Sequence, residues 1–419
     1  MSAPPTRHAV DPSADSSTGP SADSSTGLAA GPAGRSAEEP DFDLGDEELR
    51  ATGWLKWAHP GPDVLPAWVA ELDVRPCPAV LDALHEAVDR SGYGYPPPDR
   101  LTGLCEATAA FLDRRFGWTV DPARVVLTGD VMAGMRLVVE TLCEQAPVVV
   151  PVPTYPPFLD LPALTGRPII TVPLAGDGHG RDVLDLAAVD AALAAGARTV
   201  LLAAPHNPTG RVFDAAELAA LRDVVCRHRA RVISDEIHAP LVLPGARHVP
   251  YASLDGTEGQ VTTLVAASKA WNLAGLKCAQ IVAGSAEDLR RLRAVPPMVN
   301  HGTSPLGIVA ALAAYTAGDP WLDGLLVHLD RMRSLLSRLL AERLPAVHWQ
   351  PPEGTYLAWL DVRGTGVEHP AELAMARGRV MISRGRDFGA DDGFVRVNLG
   401  TSAERLERIV ERLAEAWTG

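Results

Sequence analysis

Short runs of apolar residues, separated by stretches with helical spacing, are the feature of this 419-residue chain that most restricts its fold. The runs lie at 124–127, 148–152, 199–204, 231–234, 261–266 and 279–283. A run that is apolar at successive positions suits a strand covered on both faces, whereas a half-exposed strand alternates apolar and polar residues. Strands of this kind interleaved with helices predict an α/β fold with a mostly parallel central sheet.

The pattern divides the chain into four predicted segments. Residues 1–40 are rich in Ser, Gly, Ala, Pro and Asp, and the octet PSADSSTG occurs twice in succession, which predicts a disordered tail. Residues 41–95 are interpreted as an N-terminal arm with part of a smaller domain. The strand–helix alternation fills a large domain at 96–320. A long helical region followed by strand-like runs at 356–361, 380–383 and 394–399 predicts that the smaller domain, of the α+β type, is completed by 321–419.

Charge and hydropathy exclude two classes of partner. The 38 basic and 52 acidic side chains give a net charge of −14, which argues against the basic footprint of a general nucleic-acid-binding protein. No apolar run approaches the ~20 residues of a membrane span, and residues 1–35 lack the apolar core of a secretion signal. We therefore predict a cytoplasmic protein with no nucleic-acid partner and no membrane association.

The cysteines and histidines do not predict a metal site. The five cysteines are far apart, and none forms a closely spaced pair of the zinc-binding or redox type. His59, His301 and His348 have no partner at metal-ligand spacing. We predict buried free thiols in a reducing compartment and no metal.

Lysine is rare in this chain. Only Lys56, Lys269 and Lys277 are present, so the other 35 of the 38 basic residues are arginine. An amine loses its proton far more readily than a guanidinium, so a surviving lysine can mark a position that needs a neutral amine. A codon-biased genome with three chance survivors explains the same count, and composition alone does not choose between the two.

Three polar residues follow three of the apolar runs. Asn207, Asp235 and Lys269 each come shortly after a predicted strand ends, and ligands of open α/β sheets bind at the carboxyl ends of the strands. Each residue alone has an ordinary structural explanation, because Asn-Pro turns are common and acids cap helices. The three together, including one of only three lysines, indicate a ligand site.

Two other strand ends give weaker signals. The run at 124–127 leads through Asp130, Val131 and Met132 into a predicted helix, and free backbone N–H groups at such a junction suit a phosphate. Any strand–helix turn looks similar, so this signal is not specific. Tyr155 follows the run at 148–152 and is placed either at the sheet edge or in the core.

The motifs around these residues resemble a known family. PHNPTGR at 205–211, SDEIH at 234–238 and SKAWNLAGLK at 268–277 look like the signatures of fold-type I pyridoxal-phosphate enzymes. Within that class the chain resembles the cystathionine β-lyase (C–S lyase) subgroup of the class I/II aminotransferase family, the MalY/PatB type. The resemblance extends from about Trp54 to the C-terminus and includes AWVAELD at 67–73, GYGY at 92–95, GTYLAW at 354–359 and FVRVNL at 394–399.

The resemblance implies roles around the ring of pyridoxal 5'-phosphate. Lys269 would form the Schiff base and, once released by the substrate amine, remove the Cα proton. Asp235 would pair with the pyridine nitrogen and keep it protonated. Asn207 and His238 would contact the ring O3′, and Tyr155 would stack on the ring.

The resemblance also implies contacts to the phosphate and to the substrate. The expected phosphate contacts are the backbone N–H groups of Asp130, Val131 and Met132, together with Ser268 and Lys277. Tyr95 resembles a tyrosine that reaches the cofactor of the neighbouring subunit, which implies a homodimer with shared active sites. Arg396 would bind the substrate α-carboxylate as a bidentate pair.

The implied activity is C–S β-lysis of cystathionine or a related cysteine S-conjugate, giving pyruvate, ammonia and a thiol. An aminotransferase that uses a 2-oxo acid acceptor is the first alternative, because both reactions need the same motifs. A regulatory protein that retains the fold and the cofactor is the second. The expected partner of the enzyme is a small-molecule amino-acid substrate, whereas the regulatory protein would act through contacts with a protein partner.

Overall fold

The computed structural model describes residues 40–178 and 181–418, and a seven-stranded sheet lies at its centre. The spatial order of the strands is Val125–Thr128, Ala279–Val282, Val261–Val265, Arg231–Asp235, Thr199–Ala203, Val148–Val152 and Ile169–Pro173. All neighbouring strands are parallel except at Ala279–Val282, which is antiparallel to both neighbours. The predicted α/β class, its mostly parallel sheet and all six predicted strands are confirmed.

Helices cover both faces of this sheet, which explains the continuous apolar runs. In the strand Val148–Val152, Val148 and Val150 pack in one buried cluster with the helix Val131–Leu142. Val149 points to the opposite face and packs in a second cluster with the helices Leu186–Ala194 and Ala215–Arg227. Because successive side chains of a strand alternate between faces, burial on both faces requires apolar residues at consecutive positions.

The remaining helices complete the two layers and the C-terminal half. The longer ones are Pro78–Asp89, Leu104–Phe116, Ala286–Arg293, Pro305–Ala317, Asp319–Arg343 and Ala403–Thr418. The shorter ones are Asp46–Ala51, Leu55–Ala58, Pro156–Leu159, Leu161–Thr165 and Pro370–Leu373, with a π-helical turn at Ala374–Gly378. Among the described residues, no helix is both long enough and apolar enough to cross a membrane.

A second, antiparallel sheet lies in the C-terminal part, as the α+β pattern predicted. Its strands are ordered His348–Trp349, Leu357–Asp361, Phe394–Asn398 and Ser383–Arg384. Two additional two-stranded pairings join Leu65–Pro66 to Val380–Met381 and Ala175–Gly176 to Asp182–Val183. The run 380–383, interpreted from sequence as one strand, is therefore divided between two sheets.

The N-terminal arm is folded against the C-terminal part of the chain. Its strand Leu65–Pro66 pairs with Val380–Met381 in parallel, and Arg405 of the last helix donates to the Leu44 carbonyl oxygen at 2.7 Å. The predicted disordered tail and its repeated octet lie outside the described residues, apart from Pro40.

Candidate active site

A cavity of about 250 Å³ opens at the carboxyl ends of the central strands. Three of the strands that end there are Thr199–Ala203, Arg231–Asp235 and Val261–Val265. Every predicted site residue except Tyr95 lines the cavity: Asp130, Val131, Met132, Tyr155, Asn207, Asp235, His238, Ser268, Lys269, Lys277 and Arg396. The structure thus brings together side chains that are up to 266 positions apart, from 130 to 396.

Lys269 holds its amine inside this cavity. The Nζ atom donates to the Ala70 carbonyl oxygen at 2.9 Å. Burial, followed by the positive charge of Arg396, lowers the pKa of Lys269 to about 8. About a tenth of the amine is therefore neutral at pH 7, far more than for an ordinary lysine, and a neutral amine is the form that attacks a carbonyl or accepts a proton.

Asp235 is a buried carboxylate without a direct cationic partner among the described contacts. It ends its strand, accepts a hydrogen bond from the backbone N–H of Ile237 at 3.1 Å and is only 6% exposed. Burial raises the pKa of Asp235 to about 7, because the ionised form is poorly solvated there. A cation placed in the cavity beside Asp235 would stabilise the ionised form.

His238 and Asn207 line the same cavity as this acid. His238 follows the strand that Asp235 ends, and Asn207 follows the neighbouring strand Thr199–Ala203. Burial lowers the pKa of His238 to about 3, so the imidazole is neutral and has one donor and one acceptor nitrogen. Its Nδ1 is buried and has no hydrogen-bond partner within the described part of the chain. A buried polar atom without a partner is costly, so this position favours a ligand that supplies one.

Arg396 lies on the strand Phe394–Asn398 and reaches into the cavity. Its Nη1 donates to Asn207 Oδ1 at 2.9 Å, and its Nη2 donates to the Trp68 carbonyl oxygen at 2.7 Å. The guanidinium also lies over the ring of Phe388, 4.7 Å from the centroid. These partners are neutral and Nε is buried without a partner in the described residues, so an incoming carboxylate would supply the missing negative charge.

The phosphate end of the predicted site is the start of the helix Val131–Leu142. Asp130 caps this helix, because its Oδ1 accepts from the backbone N–H of Ala133 at 2.8 Å. Lys277 Nζ lies 2.9 Å from the other carboxylate oxygen of Asp130. Burial acts to raise the pKa of Asp130, but the hydrogen bonds from Lys277 and from Ala133 outweigh it and hold the pKa below its usual value. The site therefore combines a helix N-terminus with a lysine that already has an anionic partner.

Tyr155 and Ser268 complete the lining that the sequence predicted. Tyr155 immediately precedes the helix Pro156–Leu159, and its ring makes an edge contact with Phe158 at 5.8 Å between centroids. Both Tyr155 and Ser268 are half-buried at the cavity wall.

Tyr95 lies outside the cavity of its own chain. Its side chain is 89% exposed, and its nearest ring neighbour is His301 at 6.1 Å between centroids. The role implied for Tyr95 concerns the cofactor of a neighbouring subunit.

The sequence assigned no site role to any residue of the segment 68–72, although its motif resembles the family. Its Val69 and Ala70 line the cavity, and the carbonyl oxygens of Trp68 and Ala70 accept hydrogen bonds from Arg396 and Lys269. Residue type carries no signal for these contacts, because the backbone of the AWVAELD motif makes them. Apolar residues that complete the wall, also missed, are Ala203, Pro205, Ile237 and Ala274.

A separate cluster of potential metal ligands lies at an exposed edge. One ligand atom each of His369, Glu372 and Asp392 lies within 4.8 Å of the others. Arg386 contacts Glu372 and lies 3.7 Å from Asp392. The guanidinium supplies the positive charge at this cluster, and the geometry gives no argument for a metal.

Comparison with known proteins matches the chain over most of its length. The family model described as aminotransferase class I and II matches residues 69–413. The cystathionine beta-lyase of Corynebacterium glutamicum is 38% identical over 88% of this chain and 98% of its own length. The cystathionine beta-lyase PatB of Bacillus subtilis is 32% identical over 90% of this chain and 99% of its own length. The crystal structure of cystalysin from Treponema denticola, which contains pyridoxal 5'-phosphate, superposes with a TM-score of 0.83 at 26% identity, covering 90% of this chain and 98% of that one.

Proposed function

Because the chain belongs to the aminotransferase class I and II family, we propose that it is a pyridoxal-phosphate-dependent C–S β-lyase that cleaves cystathionine or a related cysteine S-conjugate to pyruvate, ammonia and a thiol. The observation that carries the proposal is that Lys269, Asp235 and Arg396 converge on one cavity. Two relatives with 38% and 32% identity over most of both chains are named cystathionine beta-lyases, which supports lysis over other chemistries of the family.

The cavity fits the cofactor at its ring. Asp235 is buried, has no cationic partner in the described part of the chain and gains one if it faces a protonated pyridine nitrogen. No described residue hydrogen-bonds the buried Nδ1 of His238, and Asn207 and Tyr155 line the same cavity. When bound, the cofactor serves as an electron sink for the carbanion left by removal of the Cα proton.

The phosphate would bind at the start of the helix Val131–Leu142. The N–H groups of its first turn and the positive end of the helix dipole favour an anion. We assign the backbone of Asp130, Val131 and Met132 to this role, with Ser268 and Lys277 beside it. Lys277 would then divide its positive charge between the Asp130 carboxylate and the phosphate.

The chain's own groups handle the substrate. Arg396 would bind the α-carboxylate, and its neutral partners Asn207 and the Trp68 carbonyl fix the orientation of the guanidinium. Lys269 would carry the cofactor and then take the Cα proton. Its lowered pKa keeps a neutral amine available for that step, and the Ala70 carbonyl oxygen fixes where the free amine lies.

Product analysis on purified, cofactor-loaded protein tests the proposal. Cystathionine supplied without any 2-oxo acid should yield pyruvate and free thiol in equal amounts, and Lys269→Ala should abolish both. Amino transfer that appears only when a 2-oxo acid is added, without pyruvate from cystathionine, would instead identify an aminotransferase.

A homodimer with shared active sites is part of the proposal. Large apolar side chains are exposed at Tyr93, Tyr95, Leu101, Met298 and Val299, each at least 56% exposed. The segment carrying Met298 continues to Asn300, which donates to the Leu127 carbonyl oxygen at 2.8 Å, and to Gly302, which packs against Gly129. Exposed apolar residues next to a site support association with a second copy.

Mixing inactive variants tests whether the sites are shared. Lys269→Ala and Tyr95→Ala homodimers should both be impaired, whereas hybrids formed by unfolding and refolding them together should recover part of the activity. The hybrid contains one site with both residues intact if Tyr95 acts across the interface. Failure to recover activity in demonstrated hybrids would contradict this assignment.

The domain boundaries and the cytoplasmic location of the protein stay predictions. We keep the arm with part of the small domain at 41–95, the large domain at 96–320 and the rest of the small domain at 321–419. The five cysteines are free thiols, four of them buried, with Cys226 exposed. This agrees with the reducing cytoplasm that the sequence predicted.

A further inference from the structure

The segment 68–72 presents backbone carbonyl groups to the functional side chains. The Trp68 carbonyl oxygen accepts from Arg396, and the Ala70 carbonyl oxygen accepts from both Lys269 Nζ and Tyr356 Oη, each at 2.9 Å. We call residues 68–72 the carbonyl segment. A shift of this segment displaces the Lys269 amine, because Ala70 is its hydrogen-bond acceptor.

Side chains from two parts of the chain hold the carbonyl segment. Asn272, three positions after Lys269, accepts from the Leu72 N–H and donates to the Leu72 carbonyl, both at 3.0 Å. Asn398 Nδ2 donates to the carbonyl oxygens of Val69 at 2.7 Å and Glu71 at 2.6 Å. The segment is thus anchored on both sides of Ala70.

A buried ion pair holds the far end of the segment. Lys56 Nζ lies 2.9 Å from Asp73 Oδ1 and donates to the Glu71 carbonyl oxygen at 3.1 Å. The two side chains are only 2% and 1% exposed. Trp57 Nε1 donates to the same Asp73 oxygen at 2.7 Å, and Arg405 Nη1 lies 3.8 Å from the other one.

This pair is expensive to bury and has no role in the proposed chemistry. Burial lowers the pKa of Lys56, and the charge of Asp73 opposes that effect. A buried pair of this kind commonly adds little net stability, because desolvation offsets the attraction, but it fixes the geometry of whatever it binds. Lys56 binds the Glu71 carbonyl, one residue from the Ala70 carbonyl that holds Lys269.

We infer that the Lys56–Asp73 ion pair is a positioning device for the active site, which holds the carbonyl segment so that Ala70 places the Lys269 amine. Lys56 and Asp73 touch neither substrate nor cofactor and are positioning residues. The inference deepens the proposed function and rests on it, since Lys269 must be the group that removes the Cα proton. It predicts that the pair affects the rate of the chemical step more than it affects substrate binding, because Arg396 has a second anchor in Asn207.

Lys56→Met in the cofactor-loaded protein tests this inference. Arg405 remains near Asp73, so the aspartate keeps a cationic neighbour in this variant. We expect kcat to fall by about tenfold to a hundredfold, since small misplacements of a catalytic group have effects of this size, with KM little changed. Arg75→Gln is the matched control, because Arg75 pairs with Asp41 and Glu48 on the exposed surface of the same arm. It should leave kcat unchanged.

Hydrogen exchange gives a readout that does not depend on turnover. Amides of the carbonyl segment in the loaded Lys56→Met protein should exchange faster than in the wild type and in Arg75→Gln. Unchanged exchange in the segment together with unchanged kcat would overturn the inference. Faster exchange with unchanged kcat would also overturn it, because the pair would then act on stability alone.

Two further experiments distinguish a failure of this inference from a failure of the variant to fold and from a failure of the proposed function. If Lys56→Met does not fold, the double variant Lys56→Met/Asp73→Leu replaces it, because removing both charges leaves neither Lys56 nor Asp73 as an unpaired buried ion. The double variant should fold and show the same fall in kcat. A double variant with the kcat of the wild type would overturn the inference. If the wild type releases no pyruvate from cystathionine, the proposed function fails, and the inferred role in catalysis fails with it. The exchange comparison then still tests whether the pair anchors the segment.

Discussion

Two lysine–aspartate sets in this protein have opposite surroundings. In the arm, Lys56 and Asp73 form a direct ion pair at 2.9 Å. In the cavity, Lys269 binds a backbone carbonyl and Asp235 accepts from a backbone N–H, with no direct contact to a charged partner among the described interactions. Lysine and aspartate therefore have a positioning role in the arm, where their charges neutralise each other. In the cavity, where they make no direct contact to a charged partner among the described residues, they are available for chemistry.

The largest expected loss of activity comes from substitution of the cavity lysine, Lys269. Lys269→Ala should lower turnover of cystathionine by about 10⁴-fold, the upper end of what a positioned acid or base contributes, because it removes both the cofactor attachment and the base. Lys56→Met should cost far less. Steady-state pyruvate release measures the turnover of both variants. Comparable losses of turnover would contradict the assignment of a chemical role to Lys269 and a positioning role to Lys56.

The cavity aspartate should make stability depend on pH. In the cofactor-free protein its pKa is about 7, against an ordinary value of 3.8, so between about pH 4 and 7 the folded state binds more protons than the unfolded state. The free energy of unfolding should therefore fall as pH rises through this window, by about 4 kcal/mol at 1.36 kcal/mol for each pH unit.

Asp235→Asn is the control for this pH effect. Denaturant unfolding of the cofactor-free variant should lack the contribution from Asp235, whereas wild-type protein should show it. An identical pH dependence of unfolding in the two proteins would mean that Asp235 is already stabilised by a partner, like Asp73.

The smallest expected effect is at the rim of the cavity. Lys277 and Asp130 form a pair with side chains 58% and 39% exposed, and exposed pairs contribute about 0–1 kcal/mol. Lys277→Gln should therefore change the free energy of unfolding of the cofactor-free protein by less than about 1 kcal/mol, while it weakens cofactor binding measured by absorbance titration. Unchanged cofactor affinity would contradict the assignment of Lys277 as a contact of the phosphate.

The sequence predicted the central sheet and most of the cavity for physical reasons. Strands buried on both faces must be apolar throughout, so the runs were visible without alignment. Asn207, Asp235 and Lys269 were recognisable because polar residues at the carboxyl ends of parallel strands converge. Their assigned roles rest on the resemblance and on chemistry, and the structure adds their proximity.

Other features of the structure could not be predicted from the sequence, because they depend on backbone contacts or on pairing between distant segments of the chain. The role of Ala70 lies in its carbonyl group, which every residue has. The run 380–383 is divided because Val380–Met381 pairs with Leu65–Pro66, more than 300 positions earlier. Lys56 was noticed as one of three lysines, but the fold was needed to show that Asp73 neutralises it.

The most direct test is to find which lysine carries the cofactor. Protein loaded with pyridoxal 5'-phosphate would be reduced with borohydride, digested, and mapped by mass spectrometry. The account predicts the label on Lys269 and on neither Lys56 nor Lys277. A label on either of those lysines, or none after loading, would contradict it.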